Sequence, residues 1–509
     1  MTGYAHSGSE HVIGAPRGLG DVTGRRSSAA RTEARRWQVE PILGGGILVT
    51  ILACCLLVVI VAADRPSFLA ATTTQGYFPH WMAGPLGGLW PSLTRNTQAL
   101  KYLFTAPIVL MYASYVVGLR YVPSLRARWV IAAVVAAQAI MFLSPPLALT
   151  DIFNYVNYGR MEIAHNLNPY TTIPVLEPHN DPSYALSNWH ELLSPYGPLF
   201  TLMTFAVVPL GVAASFWTLK GLLMLASLGT VLLVWRSARL LGRDPVAAIV
   251  FVGLNPIVLI WGLGGDHNDF LMMFFVVLGF YLLLRAGSMP RAAERVEAAL
   301  WSPALIGAGA VFVAAVAIKA SAGILLPVVL AALIHRRRDL LQVLLGMALG
   351  ALVFGASSVI AFGPHFPDLA TQGRLVTMTS LPNLLGFLIG QGGESTTLRV
   401  LLSGVLVIVV AACALLAYRR RESITAAGWA SVALLVTLSW VLPWYVLWVL
   451  PLAALSTSRR LRGAALLIGV YLIMAWAPLS GTVFNAIGFH PEKTALGRLH
   501  QRYVKELLY

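Results

Sequence analysis

Residues 147–199, LALTDIFNYVNYGRMEIAHNLNPYTTIPVLEPHNDPSYALSNWHELLSPYGPL, are the longest polar interruption in a chain that is otherwise a succession of apolar runs. An acid, Asp151, opens it at the end of a hydrophobic helix. Tyr155, Tyr158 and Arg160 follow, and then the turn formers Asn168-Pro169-Tyr170 and Pro195-Tyr196-Gly197-Pro198. Those residue types build a rigid, hydrogen-bonding loop. The apolar runs on either side have membrane-spanning length, so the loop is expected at a bilayer surface.

Composition agrees. Of 509 residues, 57% are hydrophobic and only 11% charged, and mean hydropathy is +0.73. No soluble domain of this size carries such a surface. The formal charge of +15 does not read as a nucleic-acid footprint, because the basic residues sit in short clusters between apolar runs and set topology. Cys54, Cys55 and Cys413 all fall inside apolar runs, which excludes a disulfide framework and a cysteine metal site.

The expected fold is an all-α polytopic membrane protein with about 13 transmembrane helices and a large structured external loop. Residues 1–40, polar and rich in Ser, Gly and Arg, read as a disordered basic cytoplasmic tail. Residues 41–481 form the transmembrane domain, with the loop at 148–198, and 482–509 a C-terminal amphipathic tail. Ile42 to Ala63 is the first span, held with the arginine cluster inside. Arginine triplets (120/126/128, 236/239/243, 285/291/295, 336/337/338, 419/420/421 and 459/460/462) mark the cytoplasmic loops. Outer loops hold few basic residues before the C-terminal tail, chiefly Arg65, Arg95, Arg160, Lys319, Arg374 and Arg399. By this parity 199–212 does not cross but dips into the outer leaflet, the break at Lys319 faces outward, and the protein sits in the cell membrane with its N-terminus cytoplasmic.

Candidate chemistry then collects on one face: Asp151, the turn Gly264-Gly265-Asp266-His267-Asn268-Asp269, Lys319, the loop 364–397 with Arg374, and Pro443-Trp444-Tyr445. Taken alone, Asp151 reads equally as a helix-boundary carboxylate or as a general base. Asp266 and Asp269 with His267 have a spacing open to a divalent metal, although hydrogen bonding or substrate binding is the simpler role. Lys319 either snorkels to headgroups or pairs with a phosphate, a role for which Arg160, Arg374 and His267 compete. Trp444, Tyr445 and Trp448 suit an aromatic belt first and a sugar platform second, and Lys220 reads as a snorkelling side chain.

DIFNYVNYGRMEIAHNLNPY, SPYGPLF, LNPIVLIWGLGGDHND, VAIKASAGILLP and LPWYVLWVLPLA together resemble the signature blocks of GT-C glycosyltransferases. The resemblance is to the actinobacterial polyprenol-phosphate-mannose-dependent α-1,6-mannosyltransferases of lipomannan synthesis, and covers roughly residues 130–460. It implies a GT-C-like arrangement, a polyprenyl-phosphate sugar donor, a glycan or glycolipid acceptor within the membrane lipid, inversion at the sugar, and no cofactor. Asp151 takes the place of the catalytic base. Lys319, Arg160, Arg374 and His267 are candidates for the donor phosphate. Tyr155, Asn168, Tyr170, Tyr196, Asp266, Asn268, Trp444 and Tyr445 are candidates for substrate contact, with divalent metal left open. A GT-C enzyme for arabinose or glucose would show the same blocks. A lipid-linked sugar transporter or flippase would show internal repeats and a midplane site on broken helices, neither of which the sequence displays.

Overall fold

The computed structural model describes residues 22–64, 79–89, 96–287, 289 and 301–508. Residues 1–21 of the expected tail, together with Arg65, Arg95, Arg291 and Arg295, lie outside them. All described regular elements are helical. The first helix, Val22–Asp64, is 43 residues long and carries the arginine cluster in its N-terminal part. Helical backbone runs continuously through Pro41, and the apolar span Glu40–Ala63 forms the C-terminal part of this helix.

Among the described residues five helices are long and apolar enough to cross a membrane: Glu40–Ala63 within the first helix, Gln98–Ser124, Val212–Leu240, Arg337–Phe362 and Thr396–Arg420. A sixth arises if Arg459–Trp476 and Ser480–Ala486, bent by 77° at a short break, count as one span. Other expected crossings are shorter apolar helices, among them Ala127–Phe142, Pro303–Ile318, Ala320–Leu333 and Ser423–Thr437. The physical reason is local. The run 246–263 ends as an α-helix at Gly253 and resumes after Asn255-Pro256 as the π-helical turn Val258–Leu263; Pro256 has no amide hydrogen to donate to the preceding turn. Lys319 leaves helical geometry at φ −151° between Pro303–Ile318 and the 3-10 turn Ala320–Leu325. The apolar stretch 198–210 is a helix of only eight residues, Pro198–Phe205, followed by a 3-10 turn.

Within 148–198 the polar run is not loop throughout. Asp151–His165 is a helix whose residues 151–159 are all buried. It ends at Asn166 in the left-handed conformation, a place where Asn is tolerated. The rest folds without strands onto this helix. Tyr158 Oη donates to Leu192 O at 2.6 Å, Tyr170 Oη to Tyr196 O at 2.8 Å, and Ser194 N to Pro169 O at 2.9 Å. Arg160 closes both arms of its fork on Asp181 at 2.8–3.0 Å, and His165 Nε2 joins the same carboxylate at 2.7 Å.

Two main-chain contacts fix this unit to its neighbours. Leu147 N donates to Gly264 O at 2.6 Å, and Gly197 N to Ile318 O at 3.0 Å. Both need glycine for close approach: a Cβ on Gly197 would lie 2.2 Å from Ala317 O, and one on Gly264 would lie 2.4 Å from Ile260 O. The segment bearing Asp151 is thereby stapled to the turn 264–269 at one end and to the Lys319 break at the other.

Candidate active site

Those staples bring three elements to one cavity of about 370 Å³. Asp151, the first residue of its helix, lines it together with Tyr155, Tyr196, Lys319, Arg399, Ser439, Trp444, Tyr445 and Trp448. Asp151 is 5% exposed. Its Oδ2 lies 3.0 Å from His267 Nδ1, while Oδ1 is buried with no hydrogen-bond partner among the described residues. The His267 ring stacks on Trp444, centroids 3.4 Å apart and planes within 8°. Burial pushes the imidazole below its usual pKa, against the opposing pull of Asp151, so His267 is expected neutral at physiological pH.

Lys319 does not snorkel to headgroups. Its Nζ reaches Asp269 Oδ1 and Oδ2 at 3.0 and 2.9 Å and sits 4.8 Å from the Tyr445 ring centroid. The same carboxylate accepts from Trp448 Nε1 at 2.5 Å, and Tyr445 and Trp448 stack at 4.3 Å. The aromatics expected first in a membrane belt are all buried: Tyr445 and Trp448 wall a cation, and Trp444 covers His267. Tyr155 packs edge-on against Tyr196 at 4.6 Å, and its hydroxyl accepts from Asn268 N at 3.2 Å.

Other candidates are placed elsewhere. Asp266, at φ +60°, pairs with Lys220 at 3.1 Å, both side chains 1% exposed. Lys220 is therefore a buried ion-pair partner rather than a snorkelling side chain, and it also donates to Ser144 Oγ at 3.3 Å. Asp266 and Asp269 face different lysines, and no group of three or more His, Cys, Asp or Glu able to hold a metal occurs among the described residues. The Asn268 side chain is buried without a hydrogen-bond partner among the described residues. Asn168 donates to Phe362 O at 2.8 Å; it and Tyr170 brace the loop and do not line the cavity. Arg160 is bound to Asp181. Arg374 is exposed and is not itself part of the cavity wall, although Gly373 and Leu375 on either side are.

Arg399 was expected only as a basic residue of an outer loop, yet it lines the cavity from the first turn of Thr396–Arg420. Its sequence signal was an arginine beside a Ser-x-x helix start at the edge of a strongly apolar run. The partner that orients it, Glu394, also engages Ser439, 45 residues away.

Comparison with known proteins completes the description. A family model described as Alpha-(1->6)-mannopyranosyltransferase, N-terminal domain, matches residues 55–335, and one described as MptB C-terminal domain matches residues 378–497. The chain is 29% identical over 371 residues to Alpha-(1->6)-mannopyranosyltransferase A of Mycobacterium tuberculosis, covering 67% of this chain and 68% of the relative. It is 28% identical over 373 residues to a probable alpha-(1->6)-mannopyranosyltransferase of Mycolicibacterium smegmatis, covering 65% and 66%. To Alpha-(1->6)-mannopyranosyltransferase B of Corynebacterium glutamicum it is 27% identical over 367 residues, covering 64% of the chain and 58% of the relative. The match thus spans about two thirds, or somewhat less, of these relatives' lengths. No solved structure matches the chain.

Proposed function

Because the chain belongs to the α-(1→6)-mannopyranosyltransferase family, we propose that it transfers a mannosyl residue from polyprenyl-phosphate mannose to a hydroxyl of a mannoside or lipid-linked glycan. The reaction runs at the external face of the membrane, with inversion. The names of its relatives support mannosyl transfer. The observation that carries the residue assignment is that Asp151, with an unpartnered carboxylate oxygen, and Lys319 line one cavity.

In this reading Asp151 accepts the proton of the acceptor hydroxyl as its oxygen attacks the anomeric carbon. The bond from that carbon to the phosphate oxygen breaks, and its electron pair leaves with the lipid phosphate. The sugar passes through an oxocarbenium-like transition state. His267, stacked on Trp444, stands beside Asp151 with Nδ1 3.0 Å from Oδ2 and limits where the carboxylate can turn. The phosphate gains negative charge as it departs, and a preorganised Lys319 ammonium stabilises that change more than it stabilises the bound donor. The shorter apolar helices are read as broken crossings that complete the arrangement of about 13 spans, with the breaks at the outer surface where the donor's phosphate lies.

The test is the product. Membranes or purified protein supplied with polyprenyl-phosphate mannose and a short mannoside should form a product one hexose heavier. Asp151→Asn should lower kcat by ~10²–10⁴ while the thermal midpoint and donor binding hold. A near-wild-type rate in Asp151→Asn would remove Asp151 from the role of base. Transfer of arabinose or glucose in place of mannose would correct the sugar.

A further inference from the structure

Resting on the reading of this cavity as a glycosyl-transfer site, we infer that Arg399, oriented by Glu394, is a phosphate-contacting cation of the cavity, acting with Lys319 on a polyprenyl phosphate. The two cations are mounted alike. Lys319 is fixed by Asp269, whose side chain is 1% exposed, and Arg399 by Glu394, whose side chain is 0% exposed. In each pair the carboxylate is buried and the cation partly open, at 19% for Lys319 and 25% for Arg399. Both cations line the cavity that also holds Asp151.

The bland alternative is that Arg399 merely neutralises a buried glutamate, and its geometry argues otherwise. A single contact, Nε to Glu394 Oε1 at 3.3 Å, joins the two, and that oxygen already accepts from Ser439 Oγ at 2.7 Å. Arg160 and Asp181 show what a closed pair looks like in this chain: three contacts of 2.8–3.0 Å using both sides of the fork. Arg399 keeps Nη1 and Nη2 without a hydrogen bond among the described residues, the pair of donors that matches phosphate oxygens. It also stands in the first turn of its helix, where the helix dipole disfavours a cation, so its place there is not explained by helix stability.

Glu394 is itself held firmly. Its amide donates to Asn383 Oδ1 at 2.9 Å, and His500 of the C-terminal helix lies 3.1 Å from its carbonyl oxygen. Glu394 is thus a positioning residue, and the pair is preorganised before any ligand arrives. Because each cation carries its own acid and Asp151 adds a third carboxylate, the cavity has no net positive charge. Selectivity for an anion then comes from directed N–H donors, which gain most from the monoester left after sugar transfer, the species with the greater charge.

The test uses the full chain in nanodiscs of zwitterionic lipid, with farnesyl phosphate and farnesol as probes. Wild type should bind the phosphate at least tenfold tighter than the alcohol. Arg399→Gln should lose most of that preference, and Arg399→Lys, which keeps charge but not the fork, should retain only part. Alcohol binding should be unchanged in both. Wild-type preference in Arg399→Gln overturns the inference, and if that variant does not fold, full preference in Arg399→Lys does the same. A wild type without preference also overturns it. A wild type that prefers the phosphate through Arg399 yet transfers no sugar keeps the anion site and sinks the transferase reading instead.

Discussion

Lys319 and Asp269, 50 residues apart in the chain, meet at 2.9 Å inside a cage made by Tyr445 and Trp448. The ammonium is held but not enclosed, since 19% of its side chain stays open. Lys319→Met is therefore expected to lower kcat/KM for the lipid donor by ~10²–10³, the scale of one lost preorganised donor, with acceptor KM little changed. Steady-state kinetics with each substrate varied separately checks this. An unchanged donor dependence would leave Lys319 a purely structural partner of Asp269.

The Lys220–Asp266 pair makes a different kind of prediction, because both side chains are 1% exposed. Lys220→Met strands a buried carboxylate and should cost about 3–5 kcal/mol. The double variant Lys220→Met/Asp266→Asn should recover much of that loss, since neither charge is left unpaired. Thermal unfolding in detergent reads both, and additive losses would contradict the pairing.

Glu177 gives the loop a pH dependence. Both its carboxylate oxygens are buried without a hydrogen-bond partner among the described residues, and burial raises its pKa from 4.5 to about 8, opposed by Asn157 and Arg160 and reinforced by Asp181. Between those values the folded state binds a proton that the unfolded state has released. The contribution is fully present below about pH 4.5 and is lost as pH rises toward about 8, with a slope of up to about 1.4 kcal/mol per pH unit. Asp181 has the opposite sign. Burial pushes it up, but hydrogen bonds from Arg160, Ser183 and His165 outweigh that and hold it well below the usual carboxylate range. Its contribution is present above pH 4 and is lost only in strong acid. Glu177→Gln should flatten the wild-type fall in thermal midpoint between pH 5 and 8, and an identical fall in the variant would exclude Glu177 as its source.

Topology can be read at Asn180, an exposed residue of the loop. Asn180→Cys should react with a membrane-impermeant thiol reagent in intact cells. The native cysteines Cys54, Cys55 and Cys413 are buried and supply the background control. Labelling only after lysis would place the loop, and with it the donor site, on the cytoplasmic side.

Sequence reading located Asp151, His267, Lys319, Tyr155, Tyr196, Trp444 and Tyr445 because each stands where an apolar run breaks, and breaks are visible as composition. That six of them line one cavity, with His267 beside Asp151, was not visible in that way. It depends on which carboxylate each cation chooses, and spacing is silent about that choice. Arg160 was the candidate for phosphate and Arg399 only an outer-loop arginine, yet the first is closed on Asp181 and the second faces the cavity. Asp266 and Asp269 looked like one motif, and two different lysines divide them. Breaks inside an apolar run are equally hidden from composition: hydropathy registers residues 246–263 as one apolar run, whereas the backbone breaks at Asn255-Pro256.

The two main-chain staples at Gly264 and Gly197 bear on how such a protein can change over generations. A hydrogen bond between backbone groups is indifferent to the side chains around it, so the segment that presents Asp151 can exchange residue after residue without moving the acid. What it cannot accept is a Cβ at either glycine, where the nearest carbonyl oxygen would be 2.2 or 2.4 Å away. Two positions with little freedom to vary are then ones that perform no chemistry. A hunt for the site guided only by reactive side chains would pass over both.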